Sequence, residues 1–355
     1  MLKIAVIMGV IAMISGSSAF AEKEFSYHKD NSFDGSSIKS IKIDMSIGEI
    51  ALEKSTTGKV EVNFKNLVYA TDQAEADKYN EDVDYKAELS GDKLVISIDF
   101  PQHSRHRKGI ITRIMQGEWE DDYHPMLKIS IPDSKDIEIH SASADIGVTD
   151  VACNLDVKSS SSDLTMENTT GTVHNDVSSG DVSIMGHRGP ISIKGISSDV
   201  KIGDAEGDVD CYTSSGDGDF NKIKGNLNVT STSGDNNIVD ITGNLDVHAT
   251  SGDVEVESVT GSVSVEDVSG DIILKSLAAS DGAFKIKSVS GDTHIEISAE
   301  FKGDVEVSTA SGSINSSLAL DSETSSDSEL RGHVGQGNGK LRISTVSGDI
   351  TIGKY

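Results

Sequence analysis

The chain has 355 residues, 58 acidic against 31 basic side chains, a formal net charge of −27, 5% aromatics and one Trp. A surface this acidic repels nucleic acid and anionic lipid headgroups, so both are disfavoured as partners and no nucleic-acid partner is expected. So few aromatics also leave little from which to build a sugar-stacking cleft.

Residues 1 to 21 carry one Lys, an apolar run from Ile4 to Ile14 and a small-residue close at Ala19-Phe20-Ala21, the pattern of a secretory signal peptide. The run is about 11 residues where a membrane span needs about 20. Losing the leader removes Lys3 and moves the net charge from −27 to −28. The expected product is exported, to the periplasm, the cell surface or the medium, with no membrane span.

Residues 22 to 140 read as an N-terminal β region. Its strands are expected at Ile38 to Ile43, Glu49 to Leu52, Val60 to Phe64, Leu94 to Phe100 and Met126 to Ile131, with the polar stretch from Asp72 to Asp82 forming a short helix or a loop. The excursion 101–125 opens with His103, Arg105, His106, Arg107 and Lys108 and ends near Trp119. Ile110, Ile111, Ile114 and Met115 fall at helical spacing, so an amphipathic helix bearing Trp119 is one reading, as a cover for the open end of a repeat. A partner-binding loop that uses Arg105, Arg107 and Lys108 is the other. His103, His106 and His124 read as surface histidines, because a lone His-x-x-His among Arg and Lys is a weak metal signal.

From residue 141 to 355 the chain is periodic. Asp145, Asp163, Asp181, Asp199, Asp217, Asp235, Asp253 and Asp271 stand 18 apart, and Gly171, Gly189, Gly207, Gly225, Gly243 and Gly261 form a second ladder half a period away. A fixed period of this kind marks a solenoid, whose coils bury their apolar faces against one another. The coil from Asp253 consists of two nine-residue phrases with apolar residues at the second, fourth and seventh places. That pattern points Val254, Val256 and Val259 inward on one side, and Val263, Val265 and Val268 on the other. The expected fold is all-β, a parallel β-solenoid of 18-residue, two-strand coils. Glycines serve the corners, and each ladder aspartate is expected to cap its own turn through the N–H two residues on. Ladder spacing widens to 21 at Asp292 and Ser313 and then to 36 at Asp349. Three-residue insertions and a loop over 321–340 explain the change.

Chemistry is scarce in this pattern. The ladder acids are spread along the chain, which suits neither carboxylate pair of glycoside hydrolysis, so a polysaccharide-acting β-helix enzyme is the alternative reading rather than the first. The calcium-binding nonapeptide Gly-Gly-x-Gly-x-Asp-x-U-x is not matched, since one Gly and branched residues stand where several Gly are needed. Divalent ions between the rungs are allowed but not favoured, and no cofactor is implied. Cys211 takes an inward slot and Cys153 a corner slot about three coils away, too far for a disulfide.

The phrases Ile129-Ser-Ile-Pro132, Ser178-Ser-Gly-Asp-Val-Ser-Ile184, Thr250-Ser-Gly-Asp-Val-Glu-Val256 and Thr345-Val-Ser-Gly-Asp-Ile-Thr-Ile352 resemble a bacterial family of β-strand-repeat proteins known as "putative adhesin", a domain of unknown function. The resemblance spans roughly residues 33 to 353 and carries no catalytic residues. It implies an exported, non-enzymatic binding or structural protein of the envelope or surface, with a protein or cell-envelope component as partner.

Overall fold

The structure, a computed structural model, describes residues 23–100, 123–277 and 282–355. The leader, Arg105, Arg107, Lys108, Trp119 and nearly all of the 101–125 excursion lie outside the described residues. Among the described residues no helix is long and apolar enough to cross a membrane.

Alternating β-branched residues form strands that join two long sheets, one of 15 strands and one of 16. In the repeat each strand pairs in parallel with the strand 18 residues on: Val182 beside Val200 and Ile184 beside Ile202 in the first sheet, Ile191 beside Val209 and Ile193 beside Cys211 in the second. The inner faces of the two sheets make one continuous core, in which Val254, Val256, Val259, Val263 and Val265 are at most 1% exposed.

Val268 breaks the expected inward pattern. It is 47% exposed, and Asp267 is buried in its place at 3%. The two phrases of a coil differ because only one holds a bulge. Asp150, Asn168, Gly186, Asp204, Lys222, Asp240, Ser258 and Ser276 all take positive φ, between 51° and 68°. Asp204 and Lys222 drop out of the ladder between the pairs Gly203–Asn221 and Ala205–Ile223. Such a bulge inserts one unpaired residue and carries the inward position from sixth to seventh. The second phrase has no bulge, so strict alternation puts its sixth residue inside and its seventh outside.

The N-terminal region extends the same two sheets. Expected strands appear at Ser40–Met45, Ile47–Lys54, Lys59–Ala70, Lys93–Asp99 and Tyr123–Ile131. Three more, Lys23–Asp34, Asp84–Ser90 and Lys135–Ser141, were not anticipated. The polar stretch near Asp72 contains the helix Gln73–Glu81, whose first turn is capped by the Asp72 carboxylate accepting the Glu75 N–H at 3.0 Å. Antiparallel pairings, Lys23–Asp34 on Lys59–Ala70 and Asp84–Ser90 on Lys93–Asp99, finish the sheets at this end.

Near the other end, chain order and spatial order diverge. Strand Gly339–Ser347 lies between Ala283–Ser290 and Gly303–Ser311, parallel to both, and Ile350–Lys354 lies between Thr293–Ile297 and Ile314–Ser316. The aspartate rungs therefore run Asp271, Asp292, Asp349 and then Ser313: Asp271 and Asp292 are neighbours with three extra residues between them, as expected, whereas the step of 36 to Asp349 reflects a later coil that enters between two earlier ones. The segment 321–340 is also more than a loop. Asp321–Ser325 and Glu329–Val334 form a hairpin, and Glu329–Val334 pairs antiparallel with Gly303–Ser311. Its polar sequence fits a hairpin that lies along a sheet edge with one face in water.

The corner glycines have no room for a side chain. Gly252 sits at φ +110°, and a Cβ there would lie 2.2 Å from the Gly234 carbonyl oxygen one coil away. Gly252→Val is therefore expected to destabilise by at least about 1 kcal/mol, from left-handed strain alone before the backbone clash is added. Gly147→Ala, where nothing lies within 4 Å and φ is ordinary, is the control. Urea midpoints for the two variants check this, and an unchanged midpoint for Gly252→Val contradicts the close-approach argument.

Candidate functional site: the corner ladders and the outer face of the second sheet

At the first corner each ladder aspartate bonds upward to the next coil and not into its own turn as the sequence suggested. The Asp145 Oδ1 accepts the Asp163 N–H at 3.2 Å, and the same bond repeats at 2.8–3.3 Å from Asp163 through Asp271. Where the chain bends out of the sheet, the side chain one rung below supplies the acceptor that a strand neighbour would supply elsewhere.

The second corner carries a ladder that the sequence reading missed. Directly after the ladder glycines, Asn226 donates its N–H to Asp208 Oδ1 at 2.8 Å, Asn244 to Asn226 at 3.1 Å and Ser262 to Asn244 at 3.0 Å. The signal was legible as Gly followed by Asn or Asp every 18 residues. Pro190 interrupts it, because proline has no N–H to give. The glycines before it follow from close approach: a Cβ on Gly189 would meet the Gly171 oxygen at 2.0 Å, and one on Gly261 would meet the Gly243 oxygen at 2.2 Å.

Two surface features differ from the plain ladder. Along the bulge column, Arg188, Glu206 and Lys224 form a chain of ion pairs at 3.4 and 3.0 Å, beside Asp204, Lys222 and Asp240, around a depression of about 560 Å³. The Lys224 ammonium, with help from Arg188, holds the Glu206 carboxyl below its usual range. On the outer face of the second sheet, Tyr212, Val268, Val289 and Val346 are 43–54% exposed and flank a shallow depression of about 480 Å³ with His248, Glu266 and Lys287. Glu266 accepts from Lys285 at 2.6 Å and Lys287 at 2.9 Å, and its carboxyl is pushed down to about 2, chiefly by the Lys285 hydrogen bond.

Among the described residues no group of three or more His, Cys, Asp or Glu is arranged to hold a metal ion. His124 packs edge-on against Tyr69. Cys153 and Cys211 are both buried and free, and burial pushes each thiol up to about 12, with the Asp133 carboxylate adding to the effect at Cys153. His187 is fully buried among core residues, its Nε2 donating to the Gly171 carbonyl at 2.9 Å and its Nδ1 accepting from the Thr169 hydroxyl at 2.8 Å. Burial lowers its pKa.

Asp267 is the odd group in this site. Neither of its oxygens finds a hydrogen-bond partner, and the Val268 and Ser269 N–H groups face it without good bonding geometry. Burial pushes its carboxyl up to about 6. A folded pKa raised above the unfolded value means that stability falls as pH rises from about 4 through 6, with the loss complete above that. Asp267→Ser, which copies the equivalent Ser231 and Ser288, is thus expected to raise the melting midpoint at pH 7.5 and to match the wild type near pH 4. Melts at the two pH values decide it, and an equal effect at both contradicts the buried-charge assignment.

The aspartate ladder gives a second test. Asp253→Asn keeps the Oδ1 acceptor and is expected to leave stability nearly unchanged, whereas Asp253→Ala deprives the Asp271 N–H of its partner and costs about 0.5–1.5 kcal/mol. Denaturation with calcium or with chelator is expected to give the same midpoints, and a calcium-dependent rise lost in Asp253→Asn contradicts the hydrogen-bonding role.

Residues 186–353 match the family model described as Toastrack DUF4097. No curated protein matches the sequence. Several solved structures are similar, three of which follow. One is a "putative cell adhesion protein" from Clostridium sporogenes, at 8% identity over 93% of this chain and 100% of that one, with a TM-score of 0.25. The second is a "putative adhesin" from Bacteroides fragilis, at 13% over 92% and 97%, with a TM-score of 0.28. The third is a "putative lipid binding protein" from Parabacteroides distasonis, at 11% over 92% and 96%, with a TM-score of 0.33. The coils from residue 186 to 353 are thus the part of the chain that is similar to the Toastrack DUF4097 model, a domain of unknown function.

Proposed function

We propose that this chain is an exported, non-enzymatic binding scaffold. In this reading residues 1–21 are a removed leader, 22–140 start the scaffold and 141–355 form its regular 18-residue, two-strand coils. Its partner is a protein or another component of the cell envelope or surface. The observation that carries the proposal is the row of exposed apolar side chains on the outer face of the second sheet. Val268, Val289 and Val346 stand on successive coils of one outward column at 47–54% exposure, with Tyr212 at 43% beside the same depression. The three coils before them hold Ser214, Thr232 and Thr250 in that column, and Ile196, 55% exposed, lies beyond these, so the three valines interrupt a surface that otherwise favours water. Contiguous exposed apolar groups rimmed by charge are typical of interaction sites. The stacked coils would hold such a row on a rigid face, which lowers the entropic cost of binding.

The test is retention of an envelope component by the immobilised mature chain. The wild type is expected to retain a component that the double variant Val268→Lys, Val346→Lys does not, while circular dichroism shows the variant folded. Equal retention by both proteins contradicts this face as the working surface. New reducing ends after incubation with envelope polysaccharides would replace the scaffold reading with an enzymatic one.

A further inference from the structure

We propose that the outer face of the second sheet docks on the same face of a second copy of this chain, about a two-fold axis that runs along the strands midway between Val263–Ser269 and Ala283–Ser290. The inference rests on the reading of that face as the working surface and names its occupant. Here the strands stand in the order Leu245–Ser251, Val263–Ser269, Ala283–Ser290, Gly339–Ser347 and Gly303–Ser311. Their outward residues form three columns. One runs from Asp246 through Ser264 and Lys285 to Arg342 and Glu306, the next holds Glu266 beside Lys287, and the third carries Val268, Val289 and Val346. In a chain of net charge −27, the bases Lys285, Lys287 and Arg342 thus gather on two neighbouring strands, with acids on both sides of them.

Such an axis keeps each column facing itself and reverses the order of the coils, so the contact is self-complementary. Val268 meets Val289 of the second copy, Glu266 meets Lys287, Asp246 meets Arg342 and, further out, Asp210 meets Arg331, each pairing occurring twice. No like charges face each other in these columns. Neighbouring placements fail, because like charges set together are costly. Centring the axis on Ala283–Ser290 sets Lys285 and Lys287 against their own copies, and centring it on Val263–Ser269 does the same to Glu266. Moving it one coil toward Gly339–Ser347 sets Lys285 against Arg342. Moving it one coil toward Leu245–Ser251 leaves the charges compatible but sets the three valines against Thr250, Thr232 and Ser214. The eight strands from Val209–Ser215 to Glu329–Val334 span about 38 Å across and about 20 Å along the strands, or about 770 Å² per copy, close to the roughly 800 Å² that each partner contributes to a specific interface. The aspartate ladder turns the corner beyond the valines, so the two ladders line one rim in solvent, at least a sheet spacing of about 10 Å apart and past the Debye length of about 8 Å at physiological salt.

Sedimentation equilibrium of the purified chain and its charge variants tests the proposal, with circular dichroism to show each variant folded. The wild type is expected to form a concentration-dependent dimer. Glu266→Lys alone and Lys287→Glu alone are each expected to give half the dimer mass, because each sets like charges together at both occurrences of the pair. Mixing these two variants restores opposite charges at both and is expected to return a dimer with one chain of each kind. Val289→Lys, which leaves the ion pairs in place, is expected to be monomeric as well. A monomeric wild type, a dimer that survives the single variants, or a mixture that stays monomeric overturns the proposal. A monomeric wild type whose retention of an envelope component is still abolished by Val268→Lys, Val346→Lys overturns the second-copy assignment alone and leaves the face as a binding surface. Dimers that obey the charge pattern but retain no envelope component uphold the assignment and limit the face to self-association.

Discussion

Parallel stacking of coils at one strand spacing, about 4.8 Å, is the constraint on which the rest of this structure depends. Along the strands it pairs backbone N–H and C=O groups with those of the coil above and below. At the corners it brings backbone to within about a side chain's thickness of backbone, so the turn residue has no place for a Cβ and its N–H has no strand partner. Glycine answers the first difficulty, as at Gly189, whose Cβ would stand 2.0 Å from the oxygen one coil away. An aspartate or asparagine reaching from the neighbouring rung answers the second, as between Asp235 and Asp253 at 2.8 Å. The two ladders are thus one solution to one geometric problem, repeated along the stack except where Pro190 has no N–H to give.

Much of this was legible in the sequence because the constraint recurs with the coil, so a residue type imposed by geometry recurs too. The inward valines of the first phrase and the corner glycines came directly from the period. Val268 did not, because period-two alternation looks the same whether or not a bulge intervenes. The residue that makes the difference varies from Asp204 to Lys222 to Ser258, with no single type to betray it. The role of the aspartates was half legible: an Asx side chain at a turn has acceptors for either its own turn or the next coil, and only the stacking decides between them. The placement of Gly339–Lys354 between two earlier coils left no local mark, since its phrase matches the others and any slot in the stack would take it.

The site is less legible than the fold for a related reason. A repeat spreads each residue type evenly, and chemistry needs unlike groups gathered in one place. Unlike groups gather where the period is broken outward, as in the Arg188, Glu206 and Lys224 column and on the face carrying Tyr212, Val268 and Val346. The ion pairs are exposed and contribute little to stability in water. The apolar row remains as a surface feature that solubility would select against, which is why the functional proposal rests there.

The first corner carries aspartate at every rung from Asp145 to Asp271, whereas the second tolerates Asn226 and Asn244 in the same bonding role. Asparagine shows that the hydrogen bond alone does not require charge. Unit charges one rung apart in water repel by about 1 kcal/mol, so an all-aspartate corner costs stability in the isolated molecule relative to a mixed one. A charge-assisted acceptor recovers part of that cost, because its bond to N–H is stronger than a neutral one. The remainder fits a role between molecules. A long stack of β coils presents flat flanks of repeated hydroxyl and backbone groups on which another stack could lie, and a continuous line of carboxylates along one flank makes that contact repulsive over its whole length. The uniform sign is what matters for this purpose, since alternating charges would let two stacks pair in register. The acidic ladder therefore bonds one coil to the next and, by its uniform sign, sets a charge along one flank that would oppose the approach of a second stack.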